Sequence, residues 1–314
     1  MAAWILLLLP CVSAGHGQEG SSAVLVGPYL GQTPPGNVPA LFAPRIVSTC
    51  KEHSAAMFTT DGNEVWFGRL FPARIYCMER IDNRWTEPKA AAFCDGFDCL
   101  YPVLSPDGKQ IFFSSDRPIE QGGTRLPRGR VHLWMVENKA GEWSDPVHLN
   151  GNVNSGRRIS CGSLAINGDL YFTSDTDNRS MDMFRSRLID GAYSDPEKLA
   201  EIDSSEPDHS PFVARDGSYL IFSSFQSGSG RSDLFISFRK TDGAWSKPRN
   251  MGSRINSPCK DEYPFVTHDG KHLSFNSNRP SALNRKPIED GPGNVYWVSA
   301  SVIEELKKGI SDEN

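Results

Sequence analysis

Apolar and polar positions alternate most plainly between Pro211 and Arg239, where P-F-V-A-R-D-G-S-Y-L-I-F-S-S runs through a short loop into D-L-F-I-S-F-R. Short β-branched and aromatic runs bounded by Asp-Gly and Ser-rich stretches predict strands over 211–214, 219–223 and 234–238. Asp216-Gly217 predicts a tight two-residue hairpin turn, because such a turn needs φ > 0 and glycine adopts it without steric cost.

The same unit recurs. M-F-T-T-D-G-N-E-V-W-F, P-V-L-S-P-D-G-K-Q-I-F-F-S-S, S-L-A-I-N-G-D-L-Y-F-T-S and P-F-V-T-H-D-G-K-H-L-S-F-N-S place equivalent turns at Asp61, Asp107, Asn167 and Asp269. A third strand follows each hairpin: R-I-Y-C-M-E-R, H-L-W-M-V-E, D-M-F-R-S-R-L, D-L-F-I-S-F-R and N-V-Y-W-V-S-A. A period of about fifty residues with several strands per repeat predicts a propeller. Four repeats then close on an aromatic and a proline, at Trp85, Trp143, Tyr193 and Trp245. Proline suits an outer edge strand, whose N–H groups need no ladder partner. The aromatic is expected to pack between blades.

The fifth repeat lacks that ending and turns instead into S-V-I-E-E-L-K-K-G, a short amphipathic helix pattern. The missing strand is expected at the other end of the chain. L-F-A-P-R-I-V-S-T over 41–49 is similar to the segment ending R-I-N-S at Ser257, with Phe42 and Pro44 in the aromatic and proline places. Pairing of 42–48 beside 294–299 would close the ring. The fold expectation is all-β: a propeller of five four-stranded blades, six being the alternative, with N-terminal strand closure and a short C-terminal helix.

With its S-P-D-G-K-x-I-x-F-x-S repeats, the chain resembles the TolB-like propellers of exported bacterial proteins over roughly residues 25–308. The resemblance implies a binding or scaffold role and no assigned reaction. Propellers host binding, scaffolding and catalysis alike, so the fold leaves function open. The alternative is a carbohydrate-active enzyme similar to the five-bladed arabinanase-like glycosidases.

Composition adds three points. The net charge of −5, with Lys and Arg scattered, gives no nucleic-acid footprint. Trp4–Val12 is an apolar run of signal-peptide length, followed by Val12-Ser13-Ala14 as a small-residue cleavage site. No later run is long enough to span a membrane. The expected organisation is therefore a signal peptide over 1–14, a Gly/Pro/Ser-rich surface arm over 15–40, the propeller over 41–308 and a tail over 309–314. The protein is expected to be periplasmic or secreted, and a monomer. Six cysteines remain after residue 14. A Cys94–Cys99 disulfide is expected, with Cys50–Cys259 as a second candidate and Cys77 as a buried thiol.

Topology points to the site. In a four-stranded blade the Asp-Gly turns share one face, and the residues just before each inner strand share the other. The second face thus collects Glu52, His53, Asp98, Asp208, His209, Asp261 and Glu262, with Arg117 of S-D-R-P and Arg279 of N-R-P leaving nearby loops. Counting back through the repeats aligns His53 with Asp208 and Asp261, and Ser54 with His209 and Glu262. Such residues at a channel mouth suit a protein, glycan or small-molecule ligand. Paired carboxylates there would also suit glycoside hydrolysis. The bland alternative is that these polar residues solvate inter-blade loops. No H-E-x-x-H, P-loop, G-x-S-x-G or zinc-type cysteine pair occurs, so no cofactor or metal is implied.

Overall fold

A computed structural model describes residues 25–51, 54–121, 124–125, 130–149, 152–156, 158–175, 181–226, 231–286 and 293–311. The expected signal peptide and the first residues of the arm lie outside the described residues, as do Glu52 and His53.

Five antiparallel sheets form the blades of a propeller. Their inner strands are Met57–Phe58, Cys99–Leu104, Ile159–Leu164, Asp208–Val213 and Asp261–Val266. Second and third strands follow in order in each blade, as Tyr219–Ser224 and Asp233–Phe238 do in blade four. Five apolar clusters fill the five seams between neighbouring blades. The closing aromatics bridge these seams: Trp143 of blade two meets Trp66 of blade one edge-on at 5.4 Å, and Tyr193 of blade three meets Phe112 of blade two at 6.3 Å. The ring is thus held by non-directional burial plus aromatic edge-to-face contacts.

The outer strands are short and obey one rule, Pro-x-x-apolar. Lys89–Ala90, Val147–His148, Glu197–Lys198 and Arg249–Asn250 each follow a proline. The next residue is buried and donates its N–H to the third strand: Ala91 to Ile75, Leu149 to Leu133, Leu199 to Met183 and Met251 to Leu234. The N-terminal segment supplies the fifth copy. Ala40–Leu41 pairs with Trp297 and Tyr296, and Phe42 donates to Val295. The ring closes as the pattern predicts, but the register differs. Pro39 takes the proline place and Phe42 the buried place, and Ala43–Ser48 is a turn in which Ile46, Val47 and Ser48 all donate to the Ala43 carbonyl. The arm ahead of it crosses the seam: Val26 bridges to Arg84 of blade one, while Tyr29 donates to Asp269 of blade five at 2.7 Å. Helix Ser301–Ser311 seals the seam between blades four and five with Val302 and Ile303.

The Asp-Gly turns are longer than the two-residue turn expected. Gly62 donates to Thr59 and Thr59 donates to Glu64, so four residues make the loop. Only the glycine is left-handed (φ 67° at Gly62, 73° at Gly217); the aspartate is not. The aspartate instead ties the turn from within: Asp107 accepts from Ser105 Oγ at 2.6 Å and Lys109 N at 3.1 Å. Hydrogen bonds of this kind hold the carboxyls of Asp61 and Asp107 below the usual range.

The expected disulfides are absent among the described cysteines. Cys50, Cys77, Cys94, Cys99 and Cys259 are free thiols. Cys94 ends a single 3-10 turn and Cys99 opens an inner strand, and the two thiols share a hydrogen bond. Cys77 is half-buried, and burial pushes its thiol pKa up.

Candidate functional site at the first channel mouth

The inner strands of blades two, four and five carry the same device. Each has a register shift, between Leu100 and Val103, His209 and Phe212, and Glu262 and Phe265. At its centre is a left-handed residue followed by proline: Tyr101 (φ 53°), Ser210 (φ 55°) and Tyr263 (φ 56°). A side chain at positive φ costs about 1–2 kcal/mol per residue, so neighbouring contacts must hold these bulges in place. Two of the three are held from the preceding blade: Ser210 N donates to Thr173 Oγ1 at 3.0 Å and Tyr263 N to Ser223 Oγ at 3.2 Å. Blade three makes the equivalent passage with Gly162, where a Cβ would stand 2.4 Å from the Pro211 carbonyl oxygen.

The bulges sort the predicted residues into two columns. Cys99, Ile159, Asp208 and Asp261 each face a serine of the second strand: Ser115, Ser174, Ser224 and Ser277. Cys99, Asp208 and Asp261 of this column do not line the channel cavity, whereas Ile159 borders it. Asp208 and Asp261 are 0% exposed. Asp208 accepts the Ser204 N–H at 2.6 Å, and Asp261 accepts the Ser257 N–H at 2.6 Å, so each ties the connection arriving from the previous blade. Burial raises both carboxyl pKa values against these hydrogen bonds.

Arg279 completes the tie. It donates to Asp261 Oδ1 at 2.6 Å and to the Ile255 carbonyl at 2.6 Å, and lies 5.0 Å from the centre of the Tyr296 ring. Arg117 donates to the Phe93 carbonyl in the same way, and Arg69 to that of Ile46. Arg117 and Arg279, the arginines predicted to meet a ligand, pin blade connections through these carbonyls, and Arg69 is a third that the motif search passed over because it lies in no R-P pair. Asp98 sits on the rim, 63% exposed, 3.8 Å from Arg74.

The next column lines a cavity of about 440 Å³: Leu100, Ser160, His209 and Glu262. His209 Nε2 stands 3.7 Å from Glu262 Oε1, with side chains 14% and 17% exposed. His209 Nδ1 meets Ser210 Oγ at 3.0 Å. Beneath them the Tyr101 and Tyr263 rings lie 5.3 Å apart with their hydroxyls 3.5 Å apart. Phe225, Met181, Arg158 and Lys260 complete the wall. Below the tyrosines the channel narrows to a waist of about 30 Å³ among Pro102, Gly162, Ser210 and Pro264.

Burial lowers the His209 pKa, with Glu262 and Asp208 opposing. Burial raises Tyr101 to about 12 and Tyr263 well above its ordinary value. At neutral pH the floor therefore offers two protonated phenols, and the wall a neutral imidazole beside one carboxyl. The tyrosines escaped the sequence search because an aromatic in a strand reads as core. Their position before proline was the available signal.

No protein-family model and no curated protein matches the sequence. Solved structures do. One is described as a putative TolB from Agrobacterium tumefaciens, with a TM-score of 0.51 at 15% identity over 72% of this chain and 70% of that one. This chain has the fold of the TolB-like propellers. The endo-arabinase of Bacteroides thetaiotaomicron is similar to the same degree, with a TM-score of 0.53 at 16% identity over 80% of this chain and 94% of its own. TolB from Acinetobacter baumannii gives 0.49 at 16% identity over 78% of this chain, which spans 56% of that protein. No described helix is long and apolar enough to cross a membrane.

Proposed function

We propose that the protein is a binding module whose ligand enters the first mouth and rests on the Tyr101–Tyr263 floor against His209 and Glu262. The observation that carries this reading is the cup itself. Three strained bulges aim chemically different side chains into one concave space, and strain of this kind collects at binding and catalytic sites. The floor of paired phenols and the mixed polar wall suit a hydrogen-bonding ligand with a flat face, such as a sugar ring or a peptide segment.

Binding is favoured over hydrolysis by the fate of the acids. Glycosidases flank the scissile bond with two carboxyl groups. Among the described residues Glu262 is the only carboxyl lining the cup, because Asp208 and Asp261 turn into the blade connections. Nor do the described residues hold any group of three or more metal-ligating side chains.

The test is a thermal-shift screen of neutral oligosaccharides and short peptides on the chain from residue 15, since a ligand bound only by the native state raises its melting temperature. A hit should be lost in the His209→Ala/Glu262→Gln variant, read against that variant's own unliganded melt, which the lost His209–Ser210 contact lowers. Release of reducing sugar from arabino-oligosaccharides would overturn the reading in favour of an enzyme. Export is part of the proposal, supported by the Trp4–Val12 run and the Val12-Ser13-Ala14 site. Fractionation of cells expressing the chain with and without residues 1–14 tests it.

A further inference from the structure

The channel has a second mouth, on the face of the Asp-Gly turns, and it holds a cavity of about 520 Å³ that the reading above does not use. The residue just before Asp or Asn in each turn rings it: Thr60, Pro106, Ile166, Arg215 and His268. The last four line the cavity, and Thr60 Oγ1 reaches the Pro106 carbonyl at 3.5 Å. The turns share an Asp-Gly or Asn-Gly core, and the residue after the glycine changes as this one does (Asn63, Lys109, Asp169, Ser218 and Lys271), but this position lines the cavity in four of the five turns.

The differences are not scattered around the ring. Blades two and three contribute Pro106 and Ile166, the latter 60% exposed, with Leu188 and Ile189 also exposed on the adjoining hairpin. Blades four and five contribute Arg215 and His268, and Lys307 of the C-terminal helix joins them. Among the described residues neither Arg215 nor Lys307 forms an ion pair. His268 Nε2 is shielded from solvent and has no hydrogen-bond partner. Buried polar atoms are normally satisfied, so an orphan on a residue that lines a cavity calls for a partner, which a shift of the ring would let a ligand supply. Arg215 stands close enough to His268 to disfavour its cation, which places both on one side of the cup. The floor between the two sides is apolar, made by Leu104, Leu164, Phe212 and Val266. Two carboxyls line the cavity as well, Asp216, which accepts from Ser218 N and Oγ and lies within the field of Lys307, and Glu304 of the helix; Arg215 is the cation left to an incoming anion.

We infer that this second mouth binds a small amphipathic organic anion, its carboxylate on Arg215 and His268 and its hydrocarbon body across the apolar floor toward Ile166. A cationic fork with a second donor suits a carboxylate, and a mostly apolar cavity of a few hundred Å³ suits the body of such a ligand.

The probes are octanoate and 4-phenylbutyrate, titrated calorimetrically into the chain from residue 15, each against its neutral amide. At least one acid should bind saturably, and its amide about tenfold more weakly, as the loss of a charge-assisted contact requires. Arg215→Gln/His268→Gln should weaken the acid by about tenfold or more, and Ile166→Ser should weaken it by a smaller factor. The His209→Ala/Glu262→Gln variant should bind it normally, which separates this site from the first mouth. The inference is overturned if neither acid saturates by about 10 mM, a weak limit for a built site. Equal binding of acid and amide overturns it too, as does loss of binding in the first-mouth variant alone. Each variant's own melting curve verifies that it is folded at the temperature of the titration.

Discussion

At the mouth carrying His209 and Glu262, the inner strands are bent by bulges with left-handed residues; at the other, regular turns repeat with the same internal hydrogen bonds. The first mouth varies its shape and its side chains together. The second keeps the Asp-Gly or Asn-Gly core of its turns and varies the residues on either side of it. At the first mouth the uniform serines are structural and the cup is lined by a column that differs, although difference alone does not mark the channel: Cys99, Ile159, Asp208 and Asp261 differ and are buried. The serine column Ser115, Ser174, Ser224 and Ser277 is uniform and buried, whereas Leu100, Ser160, His209 and Glu262 differ and line the cup. Equivalent backbone positions share their geometry in a repeat protein, so a change of residue type is free to serve a ligand only where packing does not dictate it.

The sharpest test of this division is Asp261. The sequence pattern predicts that Asp208 and Asp261 hold a ligand; their burial and partners predict a stability role. Asp261→Ala would leave Arg279 without its carboxylate, and stripping one member of a buried ion pair costs about 3–5 kcal/mol. Urea unfolding should show a loss of that size, with ligand affinity at the first mouth unchanged at temperatures where the variant is folded. A variant of wild-type stability that fails to bind would return Asp261 to the site and break the comparison.

A smaller loss is expected at the second mouth. Asp107 ties its turn through Ser105 and Lys109 but does not line the cavity. Asp107→Ala should cost about 1 kcal/mol, the usual worth of such hydrogen bonds. Carboxylate binding at Arg215 and His268 should be unaffected. A drop in that affinity would mean that the turns and the cup are coupled.

Much of this was legible in the sequence, and the failures have physical causes. Five hairpins, five third strands and the missing outer strand could be counted, because strand alternation and turn residues survive in every repeat. The closing strand was misplaced by a few residues because aromatics were matched to aromatics. The ladder instead matches Pro39 to Pro248 and Phe42 to Met251. Repeat counting put His209 and Glu262 in one column correctly. It could not say which column faces the channel, because a bulge reverses the side-chain alternation on which that inference depends. The proline two residues after Glu262 and His209 was the visible trace of the bulge.

The mouths also differ in how they should respond to acid. Burial lowers the pKa of both His209 and His268; Glu262 and Asp208 oppose this at His209, whereas Arg215 adds to it at His268 while Asp269 opposes. A histidine whose folded pKa lies below its unfolded value of about 6.5 binds fewer protons in the native state. Its contribution to stability is therefore complete above that pH and is lost as pH falls toward the folded value. Denaturant midpoints should fall on acidification from pH 7 to 5, and His268→Gln and His209→Gln should each flatten part of the slope. Adding the carboxylate probe should raise the His268 pKa by NMR titration and leave His209 in place. Movement of both would show that the waist transmits between the mouths.

The smallest expected effect concerns the strain itself. Ser210 holds a left-handed conformation that glycine adopts freely, and its hydroxyl meets His209 Nδ1 at 3.0 Å. Ser210→Gly relieves the backbone and removes the hydroxyl. Relief is worth about 1 kcal/mol, and the lost hydrogen bond takes back a comparable amount. The melting temperature should therefore be unchanged or slightly higher. Binding at the first mouth should weaken all the same, because His209 loses the contact that orients its ring. This separates positioning from stability: a variant that melts like the wild type and binds less well supports a bulge that is there to aim His209. If Ser210→Gly melts normally and binds normally, the left-handed residues serve only to turn the chain past the waist, and the first mouth loses the feature that distinguishes it from the second.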